Sequence, residues 1–176
     1  MRLVLALLLL AAAAAPAAAQ DEPLGPQEAR RDGFGILLLT TNDDQGFLRA
    51  WAGPTPPRLE TTTIAVRGAP IFGMLLFHGC RAGPEGNCNV TGEFSFLRPD
   101  GSPYGEPLRG DVWKAQPAPD GNIQLGTSGS ALIVEPHDPA GSWTMRARIT
   151  DNVRGLTLEV EQRITVETPP AAPVTA

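Results

Sequence analysis

The most regular pattern of the chain is an alternation of apolar and polar residues from Ser142 to Thr150. The apolar members of this stretch are Trp143, Met145, Ala147 and Ile149. Because successive side chains of a β-strand point to opposite faces, this period of two predicts a strand with one buried face. The turn sequence 151–155 follows, and a second alternation runs from Leu156 to Val166. We therefore predict two consecutive strands joined by a turn in the last third of the chain.

Two polar or small residues interrupt otherwise apolar strand faces. Gln162 falls in the apolar phase of the stretch from Leu156 to Val166. Either a bulge re-phases the strand at this point, or the glutamine lies at the rim of the core. Gly92 takes an inward position in its own strand and is a candidate for a bulge.

Further strands are predicted by short β-favouring segments that Gly, Pro, Asn and Asp residues separate. These segments are Phe34–Thr41, Phe47–Trp51, Thr61–Arg67, Ile71–His78, Cys88–Leu97, Val112–Ala115, Asn122–Leu125 and Ser130–Glu135. Ile71–His78 is almost entirely apolar, which is typical of a central strand that is covered on both sides. No long segment after the N-terminal region shows the spacing of an amphipathic helix. The pattern predicts an all-β domain over residues 34–167, an antiparallel β-sandwich of about seven to nine strands.

The N-terminal region has the three parts of a secretory signal peptide. Arg2 supplies a positive charge, Leu3–Ala15 is an unbroken apolar run, and Ala17–Ala19 offers small residues before a cut ahead of Gln20. The apolar run is shorter than the roughly 20 residues that a membrane-spanning helix needs. We expect a cleavable signal helix over residues 1–19, a flexible leader over 20–33 and a disordered Pro/Ala-rich tail over 168–176. The mature chain is then expected to be a soluble periplasmic or secreted protein without a stable membrane span.

Charge narrows the classes of partner. The chain has 14 basic and 19 acidic residues, and removal of Arg2 with the signal leaves 13 against 19, a net charge of −6. Nucleic acids and anionic membranes reward clustered Lys and Arg, so this balance argues against both. Lys114 is the single lysine of the chain.

The two cysteines, Cys80 and Cys88, predict a disulfide. An even number of cysteines in an exported chain favours oxidation, and the seven residues between them include two Gly and a Pro that can turn the chain. The alternative is a metal site that combines these thiols with His78 and His137. The spacing matches no strong zinc signature, and we name no metal or other cofactor.

The segment 138–151, Asp-Pro-Ala-Gly-Ser-Trp-Thr-Met-Arg-Ala-Arg-Ile-Thr-Asp, resembles the penultimate strand of immunoglobulin-like and fibronectin type III-like extracytoplasmic modules. Many such modules carry a Gly-x-aromatic-x-apolar-x-apolar pattern there that ends in Asp. The resemblance implies an immunoglobulin-like sandwich and no particular activity, since this scaffold serves many functions. The chain departs from antibody domains, because its two cysteines are too close in sequence to join the two sheets.

Three aromatic residues in or beside Pro/Gly-rich segments are candidates for a contact surface. Trp51, Tyr104 and Trp113 could bind a glycan or a protein chain, or could cap the ends of the core. The segment 126–130, Gly-Thr-Ser-Gly-Ser, has the composition of a nucleophile elbow without its spacing. Without a catalytic constellation, we expect no enzyme.

Two hypotheses of function follow. The first is a non-catalytic exported module that binds or assembles with a protein or glycan of the cell envelope. The second is a periplasmic copper- or zinc-handling protein that uses His78 and His137, with Met74 or Met145 as a soft ligand.

Export is testable through the mass of the exported protein. Protein recovered from the periplasm of a secreting bacterium should have the mass of residues 20–176. Ala19→Arg should cause the precursor to accumulate, because the peptidase needs a small residue before the cut. Gln20→Asn, beyond the cut, should be processed normally, and exported protein that still begins at Met1 would refute the assignment.

Overall fold

The computed structural model of the chain describes residues 25–53 and 56–167, which form ten strands and one helix. Sheet A consists of β1 (Glu28–Arg31), β2 (Phe34–Thr41), β4 (Pro70–His78), β7 (Gln124–Leu125) and β8 (Ser130–Ile133). Sheet B consists of β3 (Ile64–Ala65), β5 (Val90–Leu97), β6 (Leu108–Trp113), β9 (Gly141–Asp151) and β10 (Leu156–Val166). The helix α1 (Asp44–Trp51) follows β2. The predicted signal segment 1–19, residues 20–24 of the predicted leader and the predicted tail 168–176 lie outside the described residues.

The two sheets pack face to face, which confirms the predicted β-sandwich. Sheet A has the order β1-β2-β4, with β7 and β8 both paired to β4, and sheet B has the order β3-β10-β9-β5-β6. All pairs are antiparallel except β3 with β10. The strand count exceeds the predicted seven to nine, because β3 and β7 have only two residues each and β1 precedes the expected start.

Residues of both inner faces form one core. Its largest fully buried side chains are Phe34, Phe77, Phe94, Ile36, Leu38, Ile71, Leu75, Leu132, Trp143, Met145 and Ile149. Burial of each such side chain contributes about 1.5–3 kcal/mol to folding. The apolar residues of the alternating stretches 142–150 and 156–166 are buried, as their period of two predicts.

Gln162 and Gly92 have different explanations. The β9–β10 register is continuous from Leu156 to Val166, so no bulge re-phases β10, and half-buried Gln162 lies at the rim. At Gly92, a Cβ atom would approach Val112 Cγ2 to 2.9 Å and Ile149 Cδ1 to 3.0 Å, so the core leaves no room for a side chain. The bulge in this region lies just before it, where the β5–β6 register shifts between Val90 and Thr91.

The start of the domain differs from the prediction of a flexible leader up to residue 33. Glu28–Arg31 forms β1 and pairs with β2, joined by the two-residue turn Asp32-Gly33. Both turn residues have positive φ, 52° and 79°, as in the type I′ turn that Asp-Gly favours. This dipeptide was the sequence signal for a hairpin, and the polar composition around it concealed the signal.

The predicted strand Phe47–Trp51 is wrong, because these residues belong to α1. The Asp43 carboxylate accepts a hydrogen bond from the Gly46 amide at 2.8 Å and so caps the first turn of the helix. Phe47 is the buried residue of the helix. Local capping by Asp43 and the burial of one aromatic residue thus decide in favour of a helix.

Backbone hydrogen bonds link the two sheets on one side of the sandwich. The Glu161 amide donates to Pro26 O at 2.8 Å, and the Thr165 amide donates to Thr63 O at 2.7 Å. The Thr62 amide in turn donates to Thr40 O of β2 at 2.8 Å. Strand β1 and segment 62–65 therefore bridge from β2 to β10 and protect this side.

The opposite side is bridged by the connection between β7 and β8. The Gly126 amide donates to Leu75 O of sheet A at 2.8 Å, and the next amide, of Thr127, donates to Val112 O of sheet B at 2.9 Å. The chain leaves β4 for the edge of β6 here and then returns as β8. A Cβ atom at Gly129 would lie 2.6 Å from Gly73 O, so the return requires glycine.

The predicted disulfide is present. Cys80 and Cys88 are joined with an S–S distance of 2.06 Å, and both are buried. They lie beyond the end of β4 and before the start of β5, so the bridge closes the β4–β5 connection into a loop at one end of the sandwich. We call this the disulfide end.

A buried carboxylate organises the disulfide end. The Asp151 side chain is fully buried and accepts hydrogen bonds from the backbone amides of Arg81 (2.9 Å), Val153 (3.0 Å) and Arg154 (3.2 Å). Arg154 Nε lies 3.2 Å from Asp151 Oδ2. The Arg154 guanidinium also donates to Gly79 O at 2.8 Å and to Asp32 O.

Asp151→Asn should lower the free energy of unfolding by about 3 kcal/mol, since it leaves the largely buried Arg154 cation without its counter-charge. Glu159→Gln removes a carboxylate from the exposed pair with Arg148, 3.3 Å away, and should change stability by about 0.5 kcal/mol or less. Urea unfolding of both variants checks the difference. Equal losses in the two variants would contradict a special role for Asp151.

Candidate functional site

The outer faces of the two sheets differ in chemistry. On sheet B, the cross-strand neighbours Arg109, Glu93, Arg148 and Glu159 form a row of alternating charge across four strands. Arg109 Nη2 lies 2.7 Å from Glu93 Oε2, and Arg148 Nε lies 3.3 Å from Glu159 Oε1. This face therefore neutralises its own charges in contact with solvent.

The outer face of sheet A is apolar. Ile36 and Leu38 of β2 point into the core, so the residues between and after them point outward. The outward residues of β2, β4 and β7 are Leu37, Leu39, Phe72, Met74, Leu76 and Leu125. The strand register places Leu37 beside Leu76 and Leu39 beside Met74. Leu76 is buried by these neighbours, whereas the others are only partly covered.

The helix α1 covers part of this face and leaves a groove beside it. Asp44 and Leu48 of α1 and Phe72 and Met74 of β4 line one part of the groove, which has a volume of about 350 Å³. Leu108, at the start of β6, lines another part. Leu48 and Leu108 are 41% and 49% exposed, which is high for leucine beside other apolar groups. We call this region the α1 groove.

The β7–β8 connection forms the far wall of the α1 groove. Ser128 Oγ donates to Asp111 O at 2.5 Å, and Thr127 Oγ1 donates to Val112 O at 2.9 Å. Both hydroxyl groups are thus used to fasten the connection to β6. The segment 126–130 therefore acts as a structural connection between β7 and β8.

The three aromatic candidates do not form one surface. The Tyr104 backbone amide donates a hydrogen bond to Phe96 O at the C-terminal end of β5, whereas Trp113 pairs with Val90 at the N-terminal end. Trp51 is the last residue of α1 and is half-buried. The prediction of a possible aromatic contact surface therefore breaks into three separate positions.

Tyr104 and Trp113 both pack against the core. The Tyr104 ring meets Trp143 edge-on at 5.0 Å between centroids, and the Trp113 ring lies 5.8 Å from that of Phe77. Trp113 Nε1 donates to Gln116 O at 2.9 Å. These contacts match the capping interpretation that the sequence left open.

The Tyr104 hydroxyl lies in an acidic environment. Its single proton is shared between Asp138 Oδ2 at 3.0 Å and Ile133 O at 3.3 Å, while the Arg98 guanidinium lies 4.7 Å from the ring centroid. Desolvation first, and then the hydrogen bond to Asp138, raise the pKa of Tyr104 above its ordinary value of 10.0. The group is held neutral as a donor between β8 and the 138–141 turn.

The two histidines lie at opposite ends of the sandwich. His78 ends β4 at the disulfide end, and its ring covers Gly35, where a Cβ atom would lie 2.2 Å from Nε2. His137 lies in the turn after β8, next in sequence to Asp138, which accepts a hydrogen bond from the Tyr104 hydroxyl at the other end. Met145 is in the core, with its sulfur 3.5 Å from Ser130 Oγ. This geometry does not bring His78 and His137 together as ligands of one ion, and the described residues contain no cluster of three metal-ligating side chains.

The α1 groove was not identified from the sequence. Its signal was the almost entirely apolar segment Ile71–His78, which predicted a strand covered on both sides. Sheet B covers the inner side, but α1 covers only part of the outer side. The remainder is the groove, which depends on where the helix lies.

Comparisons with known proteins concern the fold. No family model and no curated protein matches the chain. An immunoglobulin-like protein from Pseudomonas aeruginosa is 19% identical over 63% of this chain and 82% of its own, with a TM-score of 0.29. A family 123 glycoside hydrolase from Clostridium perfringens is 8% identical over 74% of this chain, with a TM-score of 0.43, and this chain spans 27% of it. At the level of the fold, the chain is a β-sandwich of two five-stranded sheets, as its alternating segments predicted.

The raised pKa of Tyr104 predicts a loss of stability at high pH. The unfolded chain releases the phenol proton near pH 10, whereas the folded chain retains it. Ionisation of this group should therefore not change the free energy of unfolding below about pH 10. Above pH 10, the free energy of unfolding should fall as the pH rises through the folded pKa. Tyr104→Phe should show a shallower fall above pH 10 in urea titrations, and parallel curves would contradict the assignment.

Proposed function

We propose that this chain is a non-catalytic exported module that binds a partner in the cell envelope through the α1 groove. The observation that carries the proposal is the difference between the outer faces. Sheet B presents paired charges, whereas sheet A presents partly covered apolar side chains beside a short helix. Exposed apolar groups that adjoin one another are typical of contact surfaces.

Energetics favour the α1 groove over the aromatic positions. The rings and polar atoms of Tyr104 and Trp113 already make contacts within the domain. By contrast, a large part of the Leu48 and Leu108 side chains faces solvent. Removing apolar area from water contributes roughly 25 cal/mol per Å², so a partner that covers these residues gains binding free energy.

One observation supports export. Cys80 and Cys88 form a disulfide, which persists in oxidising compartments outside the cytoplasm. Among the described residues, no helix is long and apolar enough to cross a membrane. The separation of His78 from His137 gives the metal-handling alternative no comparable support.

Site-specific photo-crosslinking in the native envelope tests the contact surface. A photoreactive phenylalanine analogue at Leu48, on the groove, should give a discrete adduct with one partner. The same analogue at Arg163, exposed on the outer face of sheet B, is the matched control and should give none. Equal adducts at both positions, or none at either, would refute the proposal.

A further inference from the structure

The wall of the α1 groove contains an unpaired strand edge. The Gly126 amide donates to Leu75 O, so the residues of β4 at 71, 73, 75 and 77 direct their backbone groups toward β7 and β8. The cross-strand partners of residues 73 and 71 are Ser130 and Leu132. The backbone amides and carbonyls of Ser130 and Leu132 therefore face β4. Ala131 and Ile133 must direct their amides and carbonyls away from the sheet.

The outward groups of β8 are almost all unoccupied. Ile133 O accepts the Tyr104 hydroxyl, which confirms its outward direction. The amides of Ala131 and Ile133 and the carbonyl of Ala131 have no hydrogen-bond partner in the part of the chain that is described. A strand edge with free amides and carbonyls can accept another strand.

The side chains beside this edge suit alternating apolar residues. Ala131 of β8 lines the α1 groove together with Phe72, Met74 and Leu48. A strand added beside β8 would place every second side chain toward this groove, because side chains alternate along a strand. The backbone edge and the apolar groove together define the conformation of the occupant as extended.

Charge indicates the sign of the partner. Asp44 is the one charged residue that lines the groove. Glu106, which lies two residues before Leu108, is exposed and makes no ion pair among the described residues, and Arg109 is already paired with Glu93 at 2.7 Å. A basic side chain on the partner would be attracted to these carboxylates.

We propose that the α1 groove binds an extended apolar segment of a partner protein, with at least one flanking Lys or Arg, by strand addition to β8. This inference rests on the proposed function and adds the conformation and charge of the partner segment. Main-chain hydrogen bonds would supply affinity, and the groove would select alternate side chains.

Peptide selection on the folded domain tests this mode. Peptides selected from a random displayed library should alternate apolar residues and carry Lys or Arg. Replacing the basic residues of a selected peptide by Glu should weaken binding about tenfold in calorimetry, and Asp44→Asn should reduce that preference. N-methylation of alternate peptide amides should abolish binding in one phase and spare it in the other, because only one set of amides faces β8.

Ala131→Pro supplies the matching change in the protein, since it removes an amide that points away from β4. Ile123→Pro lies at an exposed position outside the groove and should leave peptide binding unchanged. If Ala131→Pro does not fold, N-methylation still decides the question without altering the protein. Binding that tolerates N-methylation in both phases, or selected peptides with helical spacing or acidic flanks, would overturn strand addition.

Two outcomes separate this inference from the proposed function. If Leu48 gives an adduct but peptide binding tolerates N-methylation in both phases, the groove remains the contact surface and strand addition is refuted. A dimer in light scattering that Ala131→Pro dissociates would show that the occupant is a second copy of this chain, which would also overturn the inference.

Discussion

The carboxylate of Asp151 is the point at which three connections of the sandwich meet. It accepts hydrogen bonds from the backbone amides of its own hairpin turn and of Arg81, which follows Cys80 of the disulfide. It also faces the cation of Arg154. Arg154 extends the contact to the turn between β1 and β2 through Asp32 O. A buried charge is costly unless it is paired, so these connections cannot separate without exposing or orphaning it. The disulfide end is consequently the fixed end of the domain.

Closure of the two sides has a different consequence for function. On the β1 side, residues 62–65 and 26 carry the backbone bonds from sheet to sheet. On the other side, Gly126 and Thr127 make the same kind of bridge, but the excursion toward β6 separates β7 from β8. The bridge thus seals the core and at the same time leaves β8 as an edge beside the α1 groove. Glycine at position 129 makes this arrangement possible, since any side chain would collide with Gly73 O.

Much of the sheet structure was predictable from local patterns. Alternation of apolar and polar residues predicted the strands around Trp143 and Val160. The short spacing of Cys80 and Cys88 and the turn residues between them predicted the disulfide. The errors arose where a local signal was weak or masked. Asp32-Gly33 lay within a polar segment that concealed its hairpin, and Phe47 belongs to a helix whose stability depends on the Asp43 cap and on burial of its ring. The candidate aromatics show the same limit, because only the fold reveals that Tyr104 contacts Trp143 and that Trp113 contacts Phe77.

By itself, the sequence determined which faces of the strands are buried, because a period of two assigns each side chain to one face of a strand. It also determined the disulfide and the class of fold. Only the tertiary structure decided which apolar residues stay partly uncovered, because that depends on where α1 lies on β4 and where the chain leaves the sheet at Gly126. It likewise separated His78 from His137, since strand direction and register, rather than residue type, set which end of the sandwich each side chain reaches.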